Sequence, residues 1–161
     1  MPQRLYLADQ AGRIDRAYSE WHRLGSLKRF LPEAAALRAS CIDLDTVQFV
    51  EYDDGSREPL AIFETAMDTG QRQKPATVTA NLARRADLPA FCVLYTPADR
   101  PNPADPRWPD IAQFRIKRLW PHPEPGWRTV TPAEFAAALL QIRGWSLRRI
   151  ERERAARPLP G

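Results

Sequence analysis

Residues 60–79 read LAIFETAMDTGQRQKPATVT. An apolar run ends in Glu64, Asp68 precedes Thr69-Gly70, and Lys74 stands just before Pro75, where a helix is expected to begin. The run LAIF is apolar on both faces, which suits a central strand. An acid placed after it belongs to a ligand site or to a buried ion pair, because an unpaired buried carboxylate is costly. Lys74 raises the same question from the other side. A cation at a helix start opposes the helix dipole, so an acidic partner such as Glu64 or Asp68 is expected.

The segments around this stretch supply a fold. Residues 42–52, IDLDTVQFVEY, are rich in β-formers, and Asp54-Gly55 signals a turn into a returning strand at 60–66. Leu60, Ile62, Glu64 and Ala66 are expected on one face of that strand; Asp43, Asp45, Val47, Phe49 and Glu51 share a face of its partner. Residues 75–86 read as a helix with Pro75 in its first turn and Val78, Leu82 and Ala86 on one face. PAFCVLYT at 89–96 is a further strand, parallel to its predecessor across a short crossover.

Upstream, Ile14, Ala17, Tyr18, Trp21 and Leu24 have helical spacing over 9–24, and a short helix follows over 31–38. Downstream, residues 97–110 hold five prolines and read as an exposed loop without regular structure. Residues 111–120 alternate as an edge strand with one charged face. Thr131-Pro-Ala-Glu134 is a capping box opening a helix over 132–143, and Gly144 is expected to separate it from a basic helix over 145–156. The fold class is therefore mixed α/β: a central mixed sheet of four to five strands flanked by helices, in one domain over 1–161 with a basic helical C-terminal extension from about 131.

Totals exclude several classes. At 161 residues with 43% hydrophobic content the chain is long enough to bury a core and is not membrane-like. No apolar run approaches the roughly 18 residues of a span, and no signal peptide is recognisable, so a cytoplasmic protein without a membrane partner is expected. Cys41 and Cys92 form no metal-type cluster and read as reduced core residues; His22 and His122 are far apart. From Phe114 onward ten Arg/Lys face four Asp/Glu, against fourteen and sixteen before it. That asymmetry points to an anionic partner such as DNA, contacted by Arg115, Lys117, Arg118, Arg148, Arg149 and Arg152, or to an ordinary solvated face. Trp108, Trp120, Trp127 and Trp145 lie near these charges, available for stacking on bases or for packing loops.

The hairpin brings the Asp43/Asp45 end of one strand beside the Glu64/Asp68 end of the next. Crowded carboxylates raise one another's pKa unless a cation neutralises them, and oxygen-rich clusters suit Mg²⁺ or Mn²⁺. Asp45, Glu64, Asp43 and Asp68 are accordingly the candidate metal ligands. The bland alternatives are that Asp43 and Asp45 bond local backbone, that Asp68 forms a turn, and that Glu64 is structurally paired.

Asp43-x-Asp45, apolar strand, turn, apolar strand and Glu64, followed by a helix and the strand PAFCVLY, resembles the PD-(D/E)XK (restriction-endonuclease-like) nuclease superfamily over roughly residues 10–96. The resemblance implies a core of helix, β-meander, helix and further strand. It implies metal ligation by an Asp on one strand, Asp45 with Asp43 as rival, and by Glu64 on the next. Glu20 would be the extra acid that some members carry on the first helix. The superfamily's lysine two residues after the Glu is Ala66 here, and a displaced Lys74 would complete a catalytic set of Asp45, Glu64 and Lys74. The implied activity is metal-dependent hydrolysis of DNA phosphodiesters. The alternatives are a catalytically degenerate nucleic-acid-binding module on the same fold and a phage or mobile-element protein-interaction factor, with a protein partner or homodimer.

Overall fold

The computed structural model describes residues 3–4, 21–39 and 41–156. In chain order the elements are β1 (Gln3–Arg4), α1 (Leu24–Leu27), α2 (Glu33–Ala39), β2 (Thr46–Tyr52), β3 (Arg57–Met67), α3 (Thr77–Ala86), β4 (Ala90–Asn102), β5 (Asp105–Trp120), β6 (Arg128–Val130) and α4 (Pro132–Ala156). They form two compact units, Met1–Arg4 with Asp45–Gly161, and Leu5–Leu44. Among the described residues no helix is long and apolar enough to cross a membrane.

The larger unit is a mixed sheet of six strands in the order β1-β2-β3-β4-β5-β6. Every neighbouring pair is antiparallel except β3 and β4, which run parallel across the α3 crossover. The mixed α/β class is as expected. The strand count is higher because β1 and β6 have two and three residues, too short for an alternation to be read.

The β2–β3 turn is closed by Asp54, whose Oδ1 accepts from the Ser56 N–H at 2.9 Å and its hydroxyl at 2.6 Å, with Gly55 at φ +81°. That region requires a residue without a Cβ penalty. Beyond it, Gln48 pairs with Ala61 but Phe49 pairs with Pro59, so Leu60 is the extra residue of a β-bulge. Pro59 offers no N–H to the ladder, and the register slips beside it. The expected alternation is corrected accordingly. Leu60 packs with Val50, Tyr52 and Ile150, while Ile62 packs with Ala83, Leu88 and Ala90.

The two sheet faces differ in cover. Ala61, Phe63, Val93 and Ile116 meet Phe135, Leu139 and Ile142 of α4. The opposite face takes α3, which buries Thr79 and Ala83; Val78, Leu82 and Ala86 are exposed instead of facing inward. Small side chains let this short helix lie close to the sheet, and Thr79 places a hydroxyl there.

Three further expectations are corrected. Residues 97–110 are not a loop: β4 and β5 continue as a two-stranded ribbon, pairing Pro101 with Pro109 and Asn102 with Asp105. Each strand of such a ribbon has an open edge, where a proline's missing N–H costs no ladder bond. Arg100–Asp110 at 3.0 Å and Arg107–Asp105 at 2.7 Å stiffen it. β5 is not an edge strand, since β6 pairs with Phe114–Ile116. Gly144 does not interrupt α4, which runs unbroken from Pro132 to Ala156. One interior glycine costs about 1 kcal/mol relative to alanine, less than packing along a sheet returns. The capping box forms as read: the Glu134 N–H donates to Thr131 Oγ1 at 3.2 Å, and the Thr131 N–H donates to Glu134 Oε2 at 2.7 Å.

In the smaller unit, buried His22 lies 3.2 Å from Asp43, which Arg23 also holds at 2.8 Å. Lys28 pairs with Glu33 at 2.9 Å across the α1–α2 connection. Most of the helix expected over 9–24, with Glu20, lies outside the described residues. Cys41 is exposed rather than a core residue, because residues 41–45 form no strand to bury it; Cys92 is buried as read.

Candidate functional site

Glu64 stands opposite Cys92 on β4, and Cys92 stands opposite Lys117 on β5. Ladder partners share a face, so the three form a row across three strands on the α3 side. Glu64 is held at both oxygens. Its Oε1 is ion-paired with Lys74 Nζ, and its Oε2 accepts from Thr79 Oγ1 at 2.9 Å. The side chains of Lys74 and Glu64 are only 17% and 16% exposed, so the pair is largely withdrawn from water.

Asp45 lies one residue before β2, whose first residue, Thr46, pairs with Phe63. Its Oδ2 accepts from the Thr65 N–H at 2.7 Å and from Thr65 Oγ1 at 3.3 Å. The Cys92 thiol registers all of these groups. Burial pushes its pKa up, Lys74 and Lys117 oppose the rise, and Glu64 and Asp45 add to it.

Asp68 is committed elsewhere. Arg115 of β5 grips it with Nε at 2.5 Å and Nη2 at 2.6 Å, and the Gly70 N–H donates to it at 2.8 Å. These bonds, the Arg115 side chain first, hold the Asp68 carboxyl below its ordinary value, and Asp68 raises Arg115 in turn. Arg115 also donates to the Gln71 carbonyl at 3.1 Å. Trp127 completes this side: its indole N–H donates to the Arg72 carbonyl at 2.8 Å, with Arg115 at 5.4 Å and Lys117 at 6.0 Å from its ring centre.

The structure thus brings Glu64 and Lys74 together, ties Asp68 to Arg115, and bonds Asp45 to Thr65, the residue after Glu64. Asp43 has its partners, His22 and Arg23, in the smaller unit. Of the basic residues, Arg118 donates through Nε to the His122 carbonyl at 3.1 Å, and Arg149 lies 3.3 Å from Asp87 and beside the Trp145 ring. Arg148 and Arg152 are exposed on α4. Trp108 is exposed on the ribbon, whereas Trp120 packs against the Ile62 cluster.

Among the described residues no three His, Cys, Asp or Glu side chains converge on one point. Mg²⁺ is nevertheless commonly held by one or two carboxylates, with water and substrate phosphate filling the remaining positions. Asp45 and Glu64 are the carboxylates to weigh for such a role, with Glu64 held by Lys74 and Thr79 and Asp45 by Thr65. Sequence reasoning missed Thr79, which it placed only within a helix, and the position of Lys117 in the Glu64 row. A compositional signal existed: the chain has three lysines against twenty-one arginines, and two of the three stand here.

Comparison with family models, with curated proteins and with solved structures gives no match to this chain.

Proposed function

We propose that the protein is a metal-dependent nuclease-like hydrolase of the PD-(D/E)XK kind, acting on DNA phosphodiesters. The observation that carries the reading is the pairing of Glu64, on β3, with Lys74, while Asp45, one residue before β2, is bonded to the adjacent Thr65 N–H. Support comes also from the sheet, in which antiparallel β1, β2 and β3 lie side by side and β4 is added in parallel through a helix. A bound divalent ion would activate water and stabilise charge on the phosphate. Asp45 and Glu64 would hold the ion, and Lys74 would set a positive charge beside the reacting group. Ala66 stands where the superfamily's lysine is expected, and Lys74 reaches Glu64 from the segment before α3 instead.

A second reading, a nucleic-acid-binding module without cleavage, is favoured by one observation: both Glu64 oxygens are already engaged, by Lys74 and by Thr79. Calorimetric titration with Mn²⁺ separates the two. Wild-type protein should bind the ion, folded Glu64→Ala and Asp45→Ala should not, and cleavage of labelled DNA should require the metal. A folded wild type that binds no Mn²⁺ and cuts no DNA overturns the hydrolase reading, and DNA binding that is insensitive to Mg²⁺ and to Glu64→Ala then supports the binding module.

A further inference from the structure

Around Glu64 the charges nearly cancel in pairs. Lys74 is offset by Glu64 and Arg115 by Asp68. Lys117 is different: among the described residues no carboxylate lies within ion-pair distance of its ammonium. It is half-buried, one strand from buried Cys92 and two from Glu64, so about 10 Å separates the Lys117 and Glu64 backbones across two strand spacings.

Among the described residues the one ring its ammonium faces is that of Trp127, shared with Arg115. The indole is pinned by its bond to the Arg72 carbonyl, so it forms a fixed wall beside the ammonium. A half-buried cation facing an aromatic wall and lacking a counter-charge is arranged to receive an anion. The residue type agrees. Arg115, two positions earlier, uses its planar fork on the Asp68 carboxylate, whereas lysine is a compact point charge suited to a single phosphate oxygen. In a chain that otherwise uses arginine almost throughout, that choice is specific.

We propose that Lys117 and Trp127 form a phosphate-binding subsite that holds the nucleic-acid backbone beside the Glu64 site. The subsite rests on the nucleic-acid reading above but not on cleavage, and the test keeps the two apart. Fluorescence anisotropy with a labelled DNA duplex and a labelled oligothymidine, in chelator so that nothing is cut, gives affinity against salt. Lys117→Met retains the aliphatic stem and should fold. It should weaken binding and reduce the slope of log K against log salt by about 0.9 on duplex or about 0.7 on single strand, one phosphate contact's worth. Lys117→Arg retains the charge and should keep the wild-type slope; a slope reduced as far as in Lys117→Met would mean that the substitution, not the lost charge, causes the change and would overturn the subsite. A wild-type slope in folded Lys117→Met overturns the subsite while leaving the nuclease reading intact. Wild-type protein that binds neither probe at low salt overturns both.

Discussion

The two faces of one sheet are built on opposite principles. The α4 face is an aromatic and aliphatic layer, with Phe63 stacked on Phe91 at 5.6 Å and edge-on to Phe135 at 6.5 Å. The α3 face begins as an apolar layer at Ile62, Ala83 and Ala90, and two residues along β3 it turns into Glu64, Lys74 and Thr79. The first face gains stability from area removed from water. The second withdraws ions from water and recovers the cost only through their mutual pairing. A face that serves folding alone has no need of the second arrangement, which is why function is sought there.

Substitutions test that contrast, and the largest effect is expected on the aromatic face. Phe63→Ala removes a ring only 3% exposed and should cost about 3–5 kcal/mol in denaturant unfolding. A smaller loss than that of Glu64→Ala would break the contrast. Glu64→Ala strands Lys74 and should cost about 3 kcal/mol, whereas the double change Glu64→Met with Lys74→Met should recover most of it. A double variant that is stable yet no longer binds Mn²⁺ would mark the pair as kept for chemistry rather than folding.

The smallest effect is a pH dependence. Folded Asp68 titrates below its ordinary 3.8, so its contribution is present above the unfolded value and is lost as pH falls through the folded one. Wild type should therefore have a higher Tm than Asp68→Asn, by a constant margin between about pH 5 and 8 as far as this carboxyl is concerned. The margin should narrow below 3.8 and close below the folded pKa. An equal margin at pH 2.5 would mean that the bond geometry at Asp68, not its charge, supplies the difference.

Much of the larger unit could be read from local pattern. The β2–β3 hairpin, the parallel crossover through α3 and the capping box at Thr131 each follow from signals within a dozen residues. The Glu64–Lys74 pairing could also be read, from an acid ending a buried strand and a lysine close behind it, although the helix expected to begin at Pro75 begins at Thr77. Other features were silent because their causes are distant. β6 exists only because β5 offers it an edge. The ribbon at 97–110 carries prolines that look disruptive until it is seen to have two open sides. The helix through Gly144 is continuous because the sheet beneath it is.

The sequence by itself determined the alternation, turns and caps of its segments and placed an acid at the end of a buried strand. Only the tertiary structure decided which charges cancel. Arg115 reaches Asp68 across 47 positions, and Lys117 comes into the Glu64 row through two strand pairings. Periodicity and capping depend on neighbours along the chain, whereas an ion pair forms between whichever groups the sheet order brings within a few ångströms.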